Sequence, residues 1–412
     1  MSDFCLVRQP VFSSTGSLIG YEVRYNDADD GQHGFAQSFL SGTFDLVRNR
    51  LPAFVPASRE QLIEDAFLAA EPGSAIVLLP ADTAADVVLV EAIARYRAAG
   101  GLLALDQIGA DTSPAESLLS HASWVRVDAR AGNADTLAAI CARLTNGTAG
   151  TAAGALKLIA ANVEEIEHYE ATLSSGFHAF QGTFFSRPEP LPAADMPQST
   201  VAAMRLMGLA RDGNISDRQL EDVIATDPVL TFQLLRLVNS AALGGRGVAS
   251  IGQALRLIGR NAFLRWLAVA VAAARKSKTG VDQELVRQAV ERGRLLEQLV
   301  GGGRDSGTLF LVGLFSLLDA VFRMPLNEIL DRVVLSTEAN DALLERSGPY
   351  ANALEFAESY ELGLFENATM IAKDMGVDQA KINDFYTNAI IWTAEALGAA
   401  LEAQQPGMKR AS

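Results

Sequence analysis

Cysteine is scarce in this chain: Cys5 and Cys141 are the only two, and no Cys-x-x-Cys spacing occurs. That argues against a disulfide framework and a cysteine zinc site, and leaves both thiols as packing residues. Histidine is sparse too, and His33, His121, His168 and His178 all fall in the first half. Residues 195–412 therefore cannot build a histidine metal centre or give a base to a nucleophile such as Ser240 or Ser316. The four histidines lack ligand spacing and read as surface or ordinary polar residues. Long apolar runs are missing. The most apolar segment, Trp266 to Ala274, is bracketed by Arg265 and Arg275; it falls far short of the ~20 residues a bilayer requires and reads as a core helix. The opening Met-Ser-Asp-Phe-Cys has neither the basic start nor the apolar stretch of a secretory signal. The expectation is a cytoplasmic protein with no membrane insertion.

What is present is an ordinary globular composition, 49% hydrophobic and 20% charged, over 412 residues, enough for two domains. The net charge of −15 is unevenly spread: residues 1–194 hold 12 basic and 23 acidic side chains, residues 195–412 hold 22 and 26. Phosphate-backbone binding needs clustered cations, so the balance disfavours nucleic acid as a partner. One stretch differs: from Pro228 to Val281 there are eight basic residues and no acidic one. It reads either as a docking face for an anionic partner or as a solvated face with counter-charges elsewhere in the fold. Arg256 and Arg260, spaced i,i+4 on one expected helix, are the partner-binding candidates.

Short apolar runs recur at Leu18–Tyr25, Ala53–Val55, Ile76–Leu79, Leu102–Leu105, Trp124–Val127 and Leu156–Ala160. They read as strands, the last four as buried parallel ones. Between them Ala85–Ala99, Asp135–Leu144 and Glu164–Leu173 have the spacing of amphipathic helices. Alternating strands and helices mean βα units. There are too many for a small open sheet, and the length is short for a full barrel, so a trimmed (β/α) barrel is expected. The Pro-rich run Arg187-Pro-Glu-Pro-Leu-Pro-Ala-Ala-Asp-Met-Pro197 reads as a linker. Beyond it, helix starts are expected at Ser216, Asp227-Pro228 and Ser250, which imply short, crossed helices. The expected organisation is α/β plus all-α: a barrel over 1–192 and a helical domain over 198–400.

Four motifs in register resemble one family. Arg8-Gln-Pro-Val-Phe12 with Gly20-Tyr-Glu22, Gln181-Gly-Thr-Phe-Phe-Ser-Arg-Pro188, Asp227-Pro-Val-Leu230 with Leu234-Leu-Arg-Leu-Val-Asn-Ser240, and Gly313-Leu-Phe-Ser-Leu-Leu-Asp-Ala320 are similar to the two-domain EAL–HDOD bacterial signalling proteins. The resemblance implies a TIM-like EAL barrel followed by an all-helical HDOD domain. Active EAL domains hydrolyse cyclic di-GMP with two divalent cations, which demands several converging carboxylates. Glu22, Asp106, Asp128, Glu164 and Gln181 match the family's site positions. Other positions depart from the pattern. Glu22-Val-Arg24 stands for Glu-Ala-Leu, and Asn26 replaces an arginine. Pro56, Leu79, Gln107 and Ala161 replace ligands and a base, and Arg126 replaces a lysine. Ser316 and Leu317 stand where HD phosphohydrolases carry His-Asp.

From these losses the sequence reads as a degenerate barrel, catalytically inactive, with neither metal nor cofactor, acting by contact with another signalling protein. The surviving polar residues then serve either hydrogen bonds that close the barrel or cyclic di-GMP binding. The alternatives are a non-hydrolysing cyclic di-GMP sensor and an active cyclic di-GMP phosphodiesterase. Residues 363–412 carry no role beyond Ala- and Leu-rich helix.

Overall fold

The computed structural model describes residues 5–26, 32–109, 116–146, 156–186, 216–225, 250–273, 279–300, 305–331 and 335–404. The expected linker, the helix start at Asp227-Pro228 and the motif ending at Ser240 lie outside them. Strands β1 (Cys5–Ser13), β2 (Leu18–Asn26), β3 (Ala53–Pro56), β4 (Ala75–Pro80), β5 (Leu102–Ile108), β6 (Trp124–Asp128), β7 (Lys157–Ala161) and β8 (Ala179–Gln181) close in order into a barrel. The strand set is complete, so the expected trimming lies elsewhere. Among the described residues it falls on the connections: the helix between β3 and β4 is Arg59–Ile63, and that between β5 and β6 is Glu116–Leu119. β1 runs antiparallel to both β2 and β8, while β2 through β8 pair in parallel.

The two-residue pleat assigns each side chain to a face. Val11, Phe54, Ile76, Leu78, Ala104, Ile159 and Ala179 fill the interior, whereas Val77, Leu79, Leu103, Leu105, Val125 and Val127 belong to the outer core beneath the helices. Leu79, compared with a family ligand on sequence grounds, therefore faces away from the mouth, and its neighbour Leu78 faces in. The comparison at that strand was one residue out of step with the pleat.

In the helical half, Gly280–Leu299 packs against Ser306–Phe315 and Ile382–Gln404. Glycines permit the first crossing: a Cβ on Gly313 would lie 2.7 Å from the Gly293 Cα, and one on Gly293 2.7 Å from the Phe310 carbonyl oxygen. Ser250 caps the Ile251–Ile258 helix by accepting from the Gln253 amide at 3.2 Å. That helix stops at Gly259, whose φ of 76° is left-handed, and Arg260 opens the next one, Arg260–Ala273. Arg256 and Arg260 are thus on two successive helices; the i,i+4 spacing counted across a glycine that breaks the helix. Trp266 is buried within Arg260–Ala273, and no helix among the described residues is long and apolar enough to cross a membrane.

The outer face of β1 and β2 is shared: Gln32–Leu40 and Thr43–Arg48 of the barrel pack on β2, and Gly280–Leu299, Ala351–Glu361 and Ile382–Gln404 of the other half cover the rest. Along this seam buried Arg8 pairs with Glu291, Tyr21 donates to Glu284 at 3.0 Å, and Tyr360 donates to the Leu6 carbonyl at 2.9 Å. The Arg8 amide donates to the Tyr386 hydroxyl at 3.3 Å. The Ile382–Gln404 helix, which the sequence left without a role, is part of the cover.

Candidate functional site at the barrel mouth

Interior-facing register brings Glu22 of β2, Asp106 of β5, Arg126 of β6 and Gln181 of β8 together at one end of the barrel. Arg126 is the hub. Its Nε and Nη2 donate to the two carboxylate oxygens of Asp106 at 2.5 and 2.6 Å, and its Nη1 donates to Gln181 Oε1 at 3.2 Å and meets Glu22 Oε1 at 2.7 Å. Gln181 Nε2 donates to Glu22 and, at 3.0 Å, to Gln9 Oε1. Arg24 adds a second cation, 3.0 Å from Glu22 Oε2. Burial would raise the Glu22 carboxyl, but the Arg126 and Arg24 guanidiniums overcome it and hold the group at about 2. The same two carboxylates push Arg126 further up against the effect of its burial, so the hub stays charged.

A second group lies nearer solvent. Asp128 accepts from the Arg130 amide at 2.9 Å, from the Arg130 side chain at 2.9 and 3.1 Å, and from Asn162 Nδ2 at 3.1 Å. These bonds outweigh partial burial and keep its carboxyl below the ordinary range. Glu164 is half-exposed, 3.8 Å from Arg130. Gln107 and Asn162, next to the site, hold left-handed φ of 60° and 57°, and the β5–β6 register shifts between Leu105 and Ile108. Backbone in that region costs energy in non-glycine residues and clusters at binding sites. Between the two groups opens a cavity of about 510 Å³, walled by Asp106, Arg126, Asp128, Arg130, Ala161 and Asn162.

The sequence candidates at the barrel therefore fall into one region, divided between an inner and an outer cluster. Arg130 and Asn162 escaped the reading. Their signal was present, since Arg130 follows Asp128 in a tight turn and Asn162 directly follows the β7 run. In the other half, Arg256 is exposed on a helix that packs against Asp217–Ala225 and Arg260–Ala273, the side chain of Arg260 is outside the described set, and Arg265 is paired with Glu297. Ser316 is a structural donor and acceptor, giving to the Gly313 carbonyl at 2.7 Å and receiving from Arg292 at 2.8 Å.

A two-metal centre would need the carboxylates free to converge. Here Glu22, Asp106 and Asp128 are each engaged by a guanidinium, and among the described residues no three acidic, histidine or cysteine side chains form a metal cluster. In this arrangement the residues do not fit such a centre.

Comparison with known proteins places the site in context. The HDOD domain family matches residues 196–343. Over 95% of its length, and 92% of the relative's, the chain is 25% identical to a Vibrio cholerae protein named cyclic di-GMP phosphodiesterase CdgJ. It is 23% identical to the uncharacterized protein YuxH of Bacillus subtilis, over 94% of this chain and 97% of that one. Among solved structures, the PaMucR phosphodiesterase in complex with c-di-GMP is 19% identical over 46% of this chain and 98% of its own, with a TM-score of 0.35. The calcium and cyclic di-GMP complex of Klebsiella pneumoniae BlrP1 is 17% identical over 45% and 56%, at a TM-score of 0.37.

The Vibrio relative overturns two sequence expectations, that the chain is no enzyme and that it acts through protein contact alone. The step from missing carboxylates to missing chemistry was too short. It tested one ligand set only: Arg126 entered as the replacement for a lysine, and Arg130, just past the end of the same strand, was left out.

Proposed function

The chain is a two-domain EAL–HDOD protein, and on that premise we propose that it is a cyclic di-GMP phosphodiesterase whose substrate enters the barrel mouth. The observation that carries the reading is the mouth cavity itself. It has guanidiniums on its wall, and planar guanidinium forks match the oxygens of a phosphodiester. Arg126 is locked between Glu22 and Asp106 and contributes a fixed positive field. Arg130 is 56% exposed, and solvent-exposed pairs are weak, so exchanging a carboxylate for a substrate phosphate costs it little. Support for hydrolysis comes from the phosphodiesterase name of the relative that aligns along nearly the whole chain.

The test is a titration of the purified protein with cyclic di-GMP, with and without Mg²⁺ or Mn²⁺, following heat and linear product together. Saturable binding with turnover is expected. Arg130→Ala should weaken binding about tenfold, as the loss of a charge-assisted hydrogen bond does. Absence of both binding and turnover at millimolar nucleotide removes the reading.

A further inference from the structure

We propose that the Glu361–Leu362 turn of the helical half sets the state of the barrel mouth, with Gln9 and Arg24 as the positioning residues that carry its influence to Glu22. Two arms leave that turn. In the first, the Glu361 carbonyl accepts from Gln9 Nε2 at 3.1 Å, which aims Gln9 Oε1 at Gln181 Nε2, 3.0 Å away. Gln181 Nε2 also donates to Glu22, and its Oε1 receives Arg126. In the second arm the Leu362 carbonyl accepts from Arg24 Nη1 at 3.4 Å, and Arg24 Nη2 holds Glu22 at 3.0 Å. Both arms end on Glu22, which grips the same Arg126 fork that holds Asp106.

The direction of the first arm is fixed by its amides. Turning over Gln9 would set its oxygen against the Glu361 carbonyl and its NH₂ against that of Gln181. In these part-buried surroundings a mismatch of that kind is unfavourable, so the arm moves as a unit or breaks. On its far side the turn is anchored by the Glu361 carboxylate, which receives Arg292 at 2.9 and 2.6 Å and Gln288 at 2.8 Å. Gly363 follows with a left-handed φ of 73°, and a Cβ there would lie 3.4 Å from the Arg24 side chain. The turn is thus shaped for close approach. Beside it lies an interdomain cavity of about 420 Å³, lined by Gln9, Gln288, Arg292, Ser316, Glu361 and Leu362. The cavity gives the turn room to shift, and an arm that is either intact or broken would supply the two states that coupling between sites requires.

The functional consequence rests on the mouth being the nucleotide site, but the coupling itself can be read without nucleotide. In the full-length protein Glu361→Ala removes the anchor and leaves both carbonyls in place. Backbone hydrogen exchange of residues 104–109 and 124–130 in the ligand-free variant should change about threefold or more. In a Gln9→Ala, Arg24→Ala background the same substitution should add nothing, a non-additivity that independent damage would not produce. Arg24→Lys, which keeps a cation beside Glu22, should restore part of the effect. If Glu361→Ala fails to fold, Gln288→Ala loosens the same anchor and should give the same pattern at smaller size. Unchanged exchange at the mouth, or changes that simply multiply across backgrounds, overturns the proposal. Cyclic di-GMP affinity, measured in parallel, should shift about fivefold with the anchor lost. Wild-type protein that binds no cyclic di-GMP, yet shows the exchange pattern, removes the functional reading and supports the coupling.

Discussion

Arg126 stands where the family resemblance expects a lysine, and the difference is geometric before it is electrostatic. An ammonium is a point charge, whereas the guanidinium fork gives Asp106 two parallel bonds and still reaches Glu22 and Gln181. Arg126→Ala should leave Glu22 and Asp106 buried without their main counter-charge, at about 3–5 kcal/mol of stability by denaturant unfolding. Arg126→Lys should recover only part of that, since one ammonium cannot serve all three acceptors. A loss within a few tenths of a kcal/mol for the alanine variant would mean that Arg24 alone balances Glu22. The low Glu22 value has a defined window. The ionised form is favoured in the folded state, so its contribution is present above the ordinary carboxylate value of 4.5 and is lost as pH falls toward about 2.

At the scale of elements, the barrel was readable because its strands are buried on both faces and so appear as uninterrupted apolar runs. Ile76–Leu79 and Leu102–Leu105 declared themselves in this way. What the runs did not announce was which of two neighbours faces the interior, hence the misplacement of Leu79. Helices were readable by their caps, as at Ser250, but Gly259 shows how one left-handed residue separates arginines that a periodic count sets on one face. Glycine matters differently where Gly280–Leu299 crosses Ser306–Phe315. Gly313→Ala places a methyl group against the Gly293 backbone. Overpacking of that kind costs about 1–3 kcal/mol and should appear as a lowered melting temperature. An unchanged melt would mean that the two helices slide apart freely.

Across the whole molecule the least legible feature was the seam. Arg8 and Glu291 are 283 positions apart and look like surface charges in the sequence, yet both are buried. Burial raises the Glu291 carboxyl and the carboxylates of Glu284 and Glu361 push the same way. Arg8 and Arg287 only partly offset this, leaving it at about 7. A carboxyl raised in the folded state stabilises most while both states hold the proton. The contribution is therefore full below about 4.5 and lost as pH rises through about 7. Glu291→Gln keeps the neutral form at every pH. The stability difference between variant and wild type should move in the variant's favour from pH 5 to pH 8. A constant difference would show that Arg8 keeps Glu291 ionised throughout.

The seam also joins the beginning of the chain to its end, Leu6 to Tyr360 and Arg8 to Tyr386, across 354 and 378 positions. A ribosome delivering ~5–20 residues per second needs roughly 20–70 s to pass from one side of that contact to the other. During this interval the barrel strands have already emerged, while the outer surface of β1, with Arg8 in it, still waits for the helices that will cover it. Synthesis of this protein therefore includes a long exposed stage, in which an apolar strand face and an unmatched cation are open to chaperones or to another nascent copy.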